Sequence, residues 1–87
     1  MSPYSSVCNV FDYTVQFNSM GSPFVMNLIT VELNEEDAEK RLKAKLKKEC
    51  ISEEDIKSVS CEHRFFEEKN PDNYHRTGII YFNSEPA

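Results

Sequence analysis

The sequence predicts an α+β fold: a two-layer sandwich in which a mainly antiparallel four-stranded sheet carries one helix, in the order ββαββ. Three observations lead there. Apolar and polar residues alternate over residues 7–17 and again over 58–65, the two-residue period of strands with one face turned to a core. Between them, a lysine-rich segment after Asn34 repeats its apolar residues at helical spacing. At 87 residues the chain has room for a single core, so the elements must share it. One domain is expected over residues 1–87, with an ordered core at 7–83 and a frayed tail at 84–87.

In the first strand, Val7, Phe11, Tyr13, Val15 and Phe17 take one parity, while Asp12, Thr14, Gln16 and Asn18 take the other. Residues 18–23 hold Gly21 and Pro23 between two apolar runs, which predicts a hairpin loop longer than two residues. A second strand follows over 24–33. Val25, Ile29, Val31 and Leu33 share a parity in which Asn27 is the exception, and Phe24, Met26 and Leu28 lie opposite. Apolar residues on both faces of its first half point to a central strand, or to one whose outer face is covered by another part of the protein.

The helix, expected over 35–49, is written most plainly. Asn34 is a good N-cap, and Glu35, Glu36 and Asp37 place carboxylates at the positive end of the helix dipole. Ala38, Leu42 and Leu46 form a narrow apolar stripe among Lys40, Arg41, Lys43, Lys45, Lys47 and Lys48. Glu36 with Lys40, Asp37 with Arg41 and Glu39 with Lys43 are spaced as favourable surface pairs. One helical turn is then expected near 52–56, followed by a strand with Val59, Cys61, His63 and Phe65 on one face and Ser58, Ser60, Glu62 and Arg64 on the other. That strand pairs beside the first hairpin. Residues 67–78 read as a long loop or an extended hairpin connection, and 79–83 as a short last strand.

Composition narrows the function. Fifteen Asp and Glu against ten Lys and Arg give a net charge of -5, which argues against direct nucleic-acid binding, since that affinity comes from cations neutralising phosphates. The charge is uneven: residues 1–34 carry only Asp12 and Glu32, residues 35–50 carry 6 basic and 5 acidic side chains, and residues 51–69 carry 6 acidic against 3 basic. Glu53, Glu54, Asp55, Glu62, Glu67 and Glu68 form that acidic block. On one surface they would suit a basic partner, with steering that salt weakens. Dispersed, they would only aid solubility. The opening residues lack the basic flank and apolar run of a secretory signal and no long apolar stretch follows, so a cytoplasmic protein with no membrane partner is expected.

Catalytic signatures are absent: no GxGxxG, GxxxxGK[ST], HExxH or GxSxG occurs. Cys8, Cys50 and Cys61 are an odd set with no CxxC, which reads as partly buried thiols rather than a disulfide framework, and a zinc site using Cys61 and His63 lacks the usual spacing. His63 shares the face of Val59 and Phe65 and reads as a half-buried structural histidine. His75, with Tyr74, Arg76 and Asp72, has the residue types of a small metal-independent hydrolase, but neighbours in an extended stretch point opposite ways. The chain is therefore read as non-enzymatic, without cofactor or metal. Tyr74 and Arg76, types that often anchor interfaces, mark residues 70–77 as a second contact region. The lysine row, with Tyr13, Phe17, Phe65, Tyr81 and Phe82, supplies the alternative of an RNA-binding or nucleoprotein-accessory domain. An exposed strand edge leaves a homodimer open.

Phe11-Asp12-Tyr13-Thr14-Val15-Gln16-Phe17, Ile29-Thr30-Val31-Glu32-Leu33, the run from Asn34 to Lys40 and Ile51-Ser52-Glu53-Glu54-Asp55-Ile56 together give a pattern that resembles short phage and mobile-element accessory proteins. Anti-CRISPR proteins and small inhibitors of host polymerase are of this kind. The resemblance is one of architecture over a little more than half the chain. It implies a stoichiometric inhibitor that occludes a surface of a larger host protein or nucleoprotein complex, one that handles nucleic acid or serves defence.

Overall fold

The structure is a computed structural model that describes residues 6–68 and 77–87. Strands β1 (Ser6–Ser19) and β2 (Ser22–Glu32) form a hairpin, helix α1 (Glu35–Lys48) and a 3-10 turn (Glu53–Asp55) follow, and β3 (Ile56–Glu68) and β4 (Gly78–Pro86) complete the chain. The ββαββ order and α+β class are as expected. The sheet order is β3-β1-β2-β4 with every neighbouring pair antiparallel. Because β1 lies between them, β2 and β3 run in the same direction without touching. The crossover through α1 therefore creates no parallel ladder.

The hairpin loop is shorter than expected. Asn18 pairs with Pro23 and Ser19 with Ser22, leaving Met20 and Gly21 as a two-residue turn with φ of 53° and 78°. Two positive φ values give a turn whose twist matches that of the strands, so Ser22 and Pro23 are drawn into β2 rather than the loop. Met20 bears the steric cost of a left-handed conformation that only Gly adopts freely.

Helix α1 begins as its sequence predicts, with the Asp37 amide donating to Asn34 Oδ1 at 2.8 Å. At its end the Ile51 amide reaches Leu46 O at 2.9 Å and the Cys50 amide reaches Lys47 O at 3.1 Å, with Cys50 at φ 60°. This paired closure needs a left-handed residue, a place normally held by glycine. Ala38, Leu42 and Leu46 are buried against Phe11, Tyr13, Val15 and Phe17 of β1 and Met26 and Leu28 of β2. Each large side chain so buried contributes about 1.5–3 kcal/mol.

One charged group joins this core. Glu32 is 4% exposed and accepts from Thr30 Oγ1 at 2.5 Å, Arg41 Nε at 2.7 Å and Arg41 Nη2 at 3.3 Å. The hydrogen bond from Arg41 to Glu32 raises the guanidinium further above its already high value. The expected surface pair of Asp37 with Arg41 gives way to this tie between helix and sheet, because a buried carboxylate needs a cation more than an exposed one does. Lys45 likewise lies 4.2 Å over the Phe82 ring. The helix pair that does form at i and i+4 is Lys45 with Glu49, at 4.0 Å.

The C-terminal residues are not a frayed tail. Strand β4 runs to Pro86, pairing Phe24 with Pro86 and Val25 with Glu85, and the Ala87 amide donates to Pro23 O at 3.1 Å. Strand β3 likewise continues through Phe66, where alternation fails, to Glu68 opposite Ser6. In both cases a neighbouring strand supplies hydrogen-bond partners that single-strand patterning does not reveal. Of the thiols, Cys8 is half-buried, whereas Cys50 and Cys61 are exposed rather than partly buried.

Candidate protein-binding surface

An α-helix is about 10 Å wide, and four strands at about 4.8 Å spacing present a wider face than it can cover. Helix α1 packs on β2 and β1, and its far flank meets Ile79 and Phe82 of β4. The helix-side face of β3 stays open beyond Ile56, with Val59 49% and Phe65 72% exposed. Val59, Cys61, His63 and Phe65 lie in register with Val15, Tyr13, Phe11 and Asn9, so they form one stripe along the sheet.

The stripe is ordered from below. The His63 ring stacks on Phe11 with centroids 4.5 Å apart and planes 1° from parallel, and Phe65 tilts against His63 at 6.3 Å. Asn9 Nδ2 donates to Leu33 O at 3.2 Å, which turns its oxygen to His63 Nε2 at 3.1 Å. The ring is thus held over β1 as an N–H donor. His63 is exposed at the sheet surface rather than half-buried, since no helix covers it.

Beside the stripe, the first two turns of α1 supply an acidic wall. Tyr13 is pushed up to about 12, first by burial, then by the Cys61 thiol to which its hydroxyl donates, and then by the Glu39 and Glu35 carboxylates. Partial desolvation where it rests against the sheet also pushes the thiol of the otherwise exposed Cys61 up, Glu35, Asp12 and Glu39 add to this, and the Tyr13 hydrogen bond opposes it. The surface is an apolar and aromatic strip with carboxylates of α1 acting on it.

The acidic residues singled out from sequence do not share one surface. Glu53, Glu54 and Asp55 sit on the 3-10 turn at the hairpin end of the sheet, next to Ile51 and Ile56. Glu62 projects on the opposite face of the sheet, directly across from Asp12. Arg64 bridges that like-charged pair, at 3.1 Å from Glu62 and 3.5 Å from Asp12. Glu67 and Glu68 lie at the far end of β3, where their backbone pairs with Val7 and Ser6. Tyr74, His75 and Arg76 lie outside the described residues, as does Asp72. Glu35, Glu39 and the uncovered stripe were missed as a site. Their signal was present in the shared parity of Val59 to Phe65 and the acidic first turn, but nothing local shows that the two adjoin.

The aromatic residues weighed for RNA stacking are also separated. Tyr13 and Phe17 are buried under the helix and Phe82 is half-buried beneath Lys45. Phe65 is on the helix side, whereas Tyr81, paired with Ile29, is on the other face. That other face is centred on Asn27, the exception to the apolar parity of β2, which donates to Asp12 Oδ1 at 2.6 Å and to Tyr13 O at 2.9 Å. At the hairpin end, Phe17, Phe24, Ile51 and Phe82 line a shallow depression of about 390 Å³ that is remote from these groups.

Among the described residues no three His, Cys, Asp or Glu side chains are placed to hold a metal ion, and no helix is long and apolar enough to cross a membrane. Comparison of the chain with protein-family models, with curated proteins and with solved structures finds no match.

Proposed function

We propose that this chain is a non-enzymatic binding protein that inhibits a larger nucleic-acid-handling or defence complex by occluding one of its surfaces, as the phage accessory proteins it resembles do. The observation that carries this reading is the uncovered β3 stripe, with Val59 and Phe65 exposed beside the Glu35 and Glu39 wall. An exposed aromatic anchor next to fixed charge is the composition of an interface centre with a selective rim. Its complement is a basic protein surface presenting an apolar side chain, and long-range attraction would speed the encounter at low salt.

The test is capture of a host complex by the immobilised chain, followed by titration of the chain into that complex's own activity assay. Inhibition that saturates at a fixed stoichiometry, weakens with salt, and is lost in both Phe65→Ser and Glu35→Lys/Glu39→Lys is the expected result. Inhibition unchanged in those variants would overturn this surface as the contact.

A second reading, RNA or nucleoprotein-accessory binding, is favoured by Lys40, Lys43 and Lys47, which are exposed on α1. The row is shorter than the sequence suggests, because Arg41 is tied to Glu32 and Lys45 to Phe82 and Glu49. RNA affinity abolished by Lys43→Glu/Lys47→Glu would favour it.

A further inference from the structure

The two edges of the sheet are built differently. Strand β4 is short and carries the devices that discourage pairing: Pro86 near its end and a register break opposite Ile29 and Thr30. Strand β3 has neither proline nor glycine, and from Ser58 to Glu68 its register with β1 is unbroken, the only irregularity lying at Gln16/Phe17 near its start. Among the described residues nothing pairs with its outer side. It is a long, regular edge with Val59 and Phe65 exposed along it.

We propose that β3 pairs antiparallel with β3 of a second copy of this chain, about a two-fold axis at His63, to give a continuous eight-stranded sheet with both helices on one face. Among the centres that keep most of β3 paired, the charges select this register. A two-fold axis perpendicular to the sheet preserves its faces, so it must pass through a residue that meets its own copy. Centred on Glu62 it would oppose two carboxylates, and centred on Arg64 two guanidinium groups. A centre at Cys61 sets Glu62 against Ser60 and forms no ion pair. Centred on His63 it sets Glu62 opposite Arg64 of the second copy and Arg64 opposite Glu62 of the second copy, while Cys61 meets Phe65 on the helix side. Opposite charges directly across an antiparallel pair are favourable and like charges are not. The ion pairs choose the register; the backbone ladder and the covering of Phe65 supply the affinity.

Among the described residues nothing obstructs the centre of this contact. His63 leans back over β1, stacked on Phe11 and held by Asn9, rather than out across the edge. Arg64 already lies on the sheet surface at Glu62 and needs only to share itself with the carboxylate of the second copy. Pairing sets Phe65 against Cys61 of the second copy at the seam but leaves the upper side of the helix-side stripe open, and it joins two copies of that stripe into one floor between two helices. The inference does not depend on the inhibitory role.

Sedimentation velocity of the full chain over a concentration series tests it, with circular dichroism to confirm that each variant is folded. The wild type is expected to dimerise. Arg64→Glu, which sets Glu against Glu62 at both pairs, is expected to weaken the dimer by about tenfold or more, and Glu62→Arg/Arg64→Glu to recover most of that loss. In a chain whose native cysteines are serine, His63→Cys should oxidise to a disulfide-linked dimer and Glu62→Cys should not. A wild type that remains monomeric at about 0.1 mM, or a double swap that dimerises no better than Arg64→Glu, overturns the proposal.

Discussion

Replacing Arg41 with alanine tests whether the buried carboxylate of Glu32 is a structural lock between helix and sheet. Glu32 is 4% exposed and takes two of its three hydrogen bonds from Arg41, at 2.7 and 3.3 Å. Arg41→Ala leaves that charge with Thr30 alone. Orphaning one member of a buried pair typically costs 3–5 kcal/mol, but Arg41 is 42% exposed, so water reaches the vacated site and the expected loss is about 2–3 kcal/mol. For a domain of this size, with a urea dependence of about 1 kcal/mol/M, the unfolding midpoint should fall by about 2–3 M. Arg41→Lys should recover part of the loss, since an ammonium cannot engage both carboxylate oxygens as the fork does. Glu32→Leu/Arg41→Leu should lie within about 1 kcal/mol of wild type, because removing both charges also removes their desolvation. A cost below about 0.5 kcal/mol for Arg41→Ala, or a double variant as unstable as the single one, would refute the reasoning.

Three further outcomes are expected. Tyr13 is neutral in the fold up to about 12, against about 10 in the unfolded chain, so its contribution is whole below pH ~10 and is lost as pH rises towards 12. Alkaline unfolding followed by circular dichroism should therefore be delayed in Tyr13→Phe, by up to about 2–3 kcal/mol of stability at the upper end. Cys50→Gly and Met20→Asn relieve left-handed residues at a helix end and a hairpin turn, and each should raise stability by about 0.5–1 kcal/mol in thermal melts, Met20 being fully exposed with no packing to lose. Deleting residues 84–87 removes the pairing of Phe24 and Val25 with β4 and should cost about 1–2 kcal/mol in urea unfolding, where a frayed tail would cost nothing.

How far the sequence carries depends on the range of the interaction concerned. Helix α1 was legible almost to the residue, because its cap, acidic first turn and apolar stripe act within a few positions of one another. Strands β1 and β3 were legible from parity, and the two apolar faces of β2 marked it as either central or covered on its outer side, a choice the sheet order decides. The two-residue turn was not, since Met20 is a poor left-handed residue on its own and is held there by the strands on either side. The full length of β4 was also hidden, because Ser84, Glu85 and Pro86 have weak strand preference and are ordered by β2.

The candidate site divides in the same way. Parity alone placed Val59, Cys61, His63 and Phe65 on one face, and composition alone marked the chain as acidic. Where the acids lie was a tertiary outcome: the block at residues 53–68 is split between a turn, the opposite sheet face and the far end of β3, while Glu35 and Glu39 act on Cys61 of the stripe.

By itself, then, the sequence determined the elements, their order and which residues of each share a face, because hydrophobic period and capping are local. Only the tertiary structure decided that one helix covers the middle of a four-stranded sheet and leaves β3 bare. That outcome follows from the width of a helix against the width of a sheet, and from the tie between Arg41 and Glu32 that seats it.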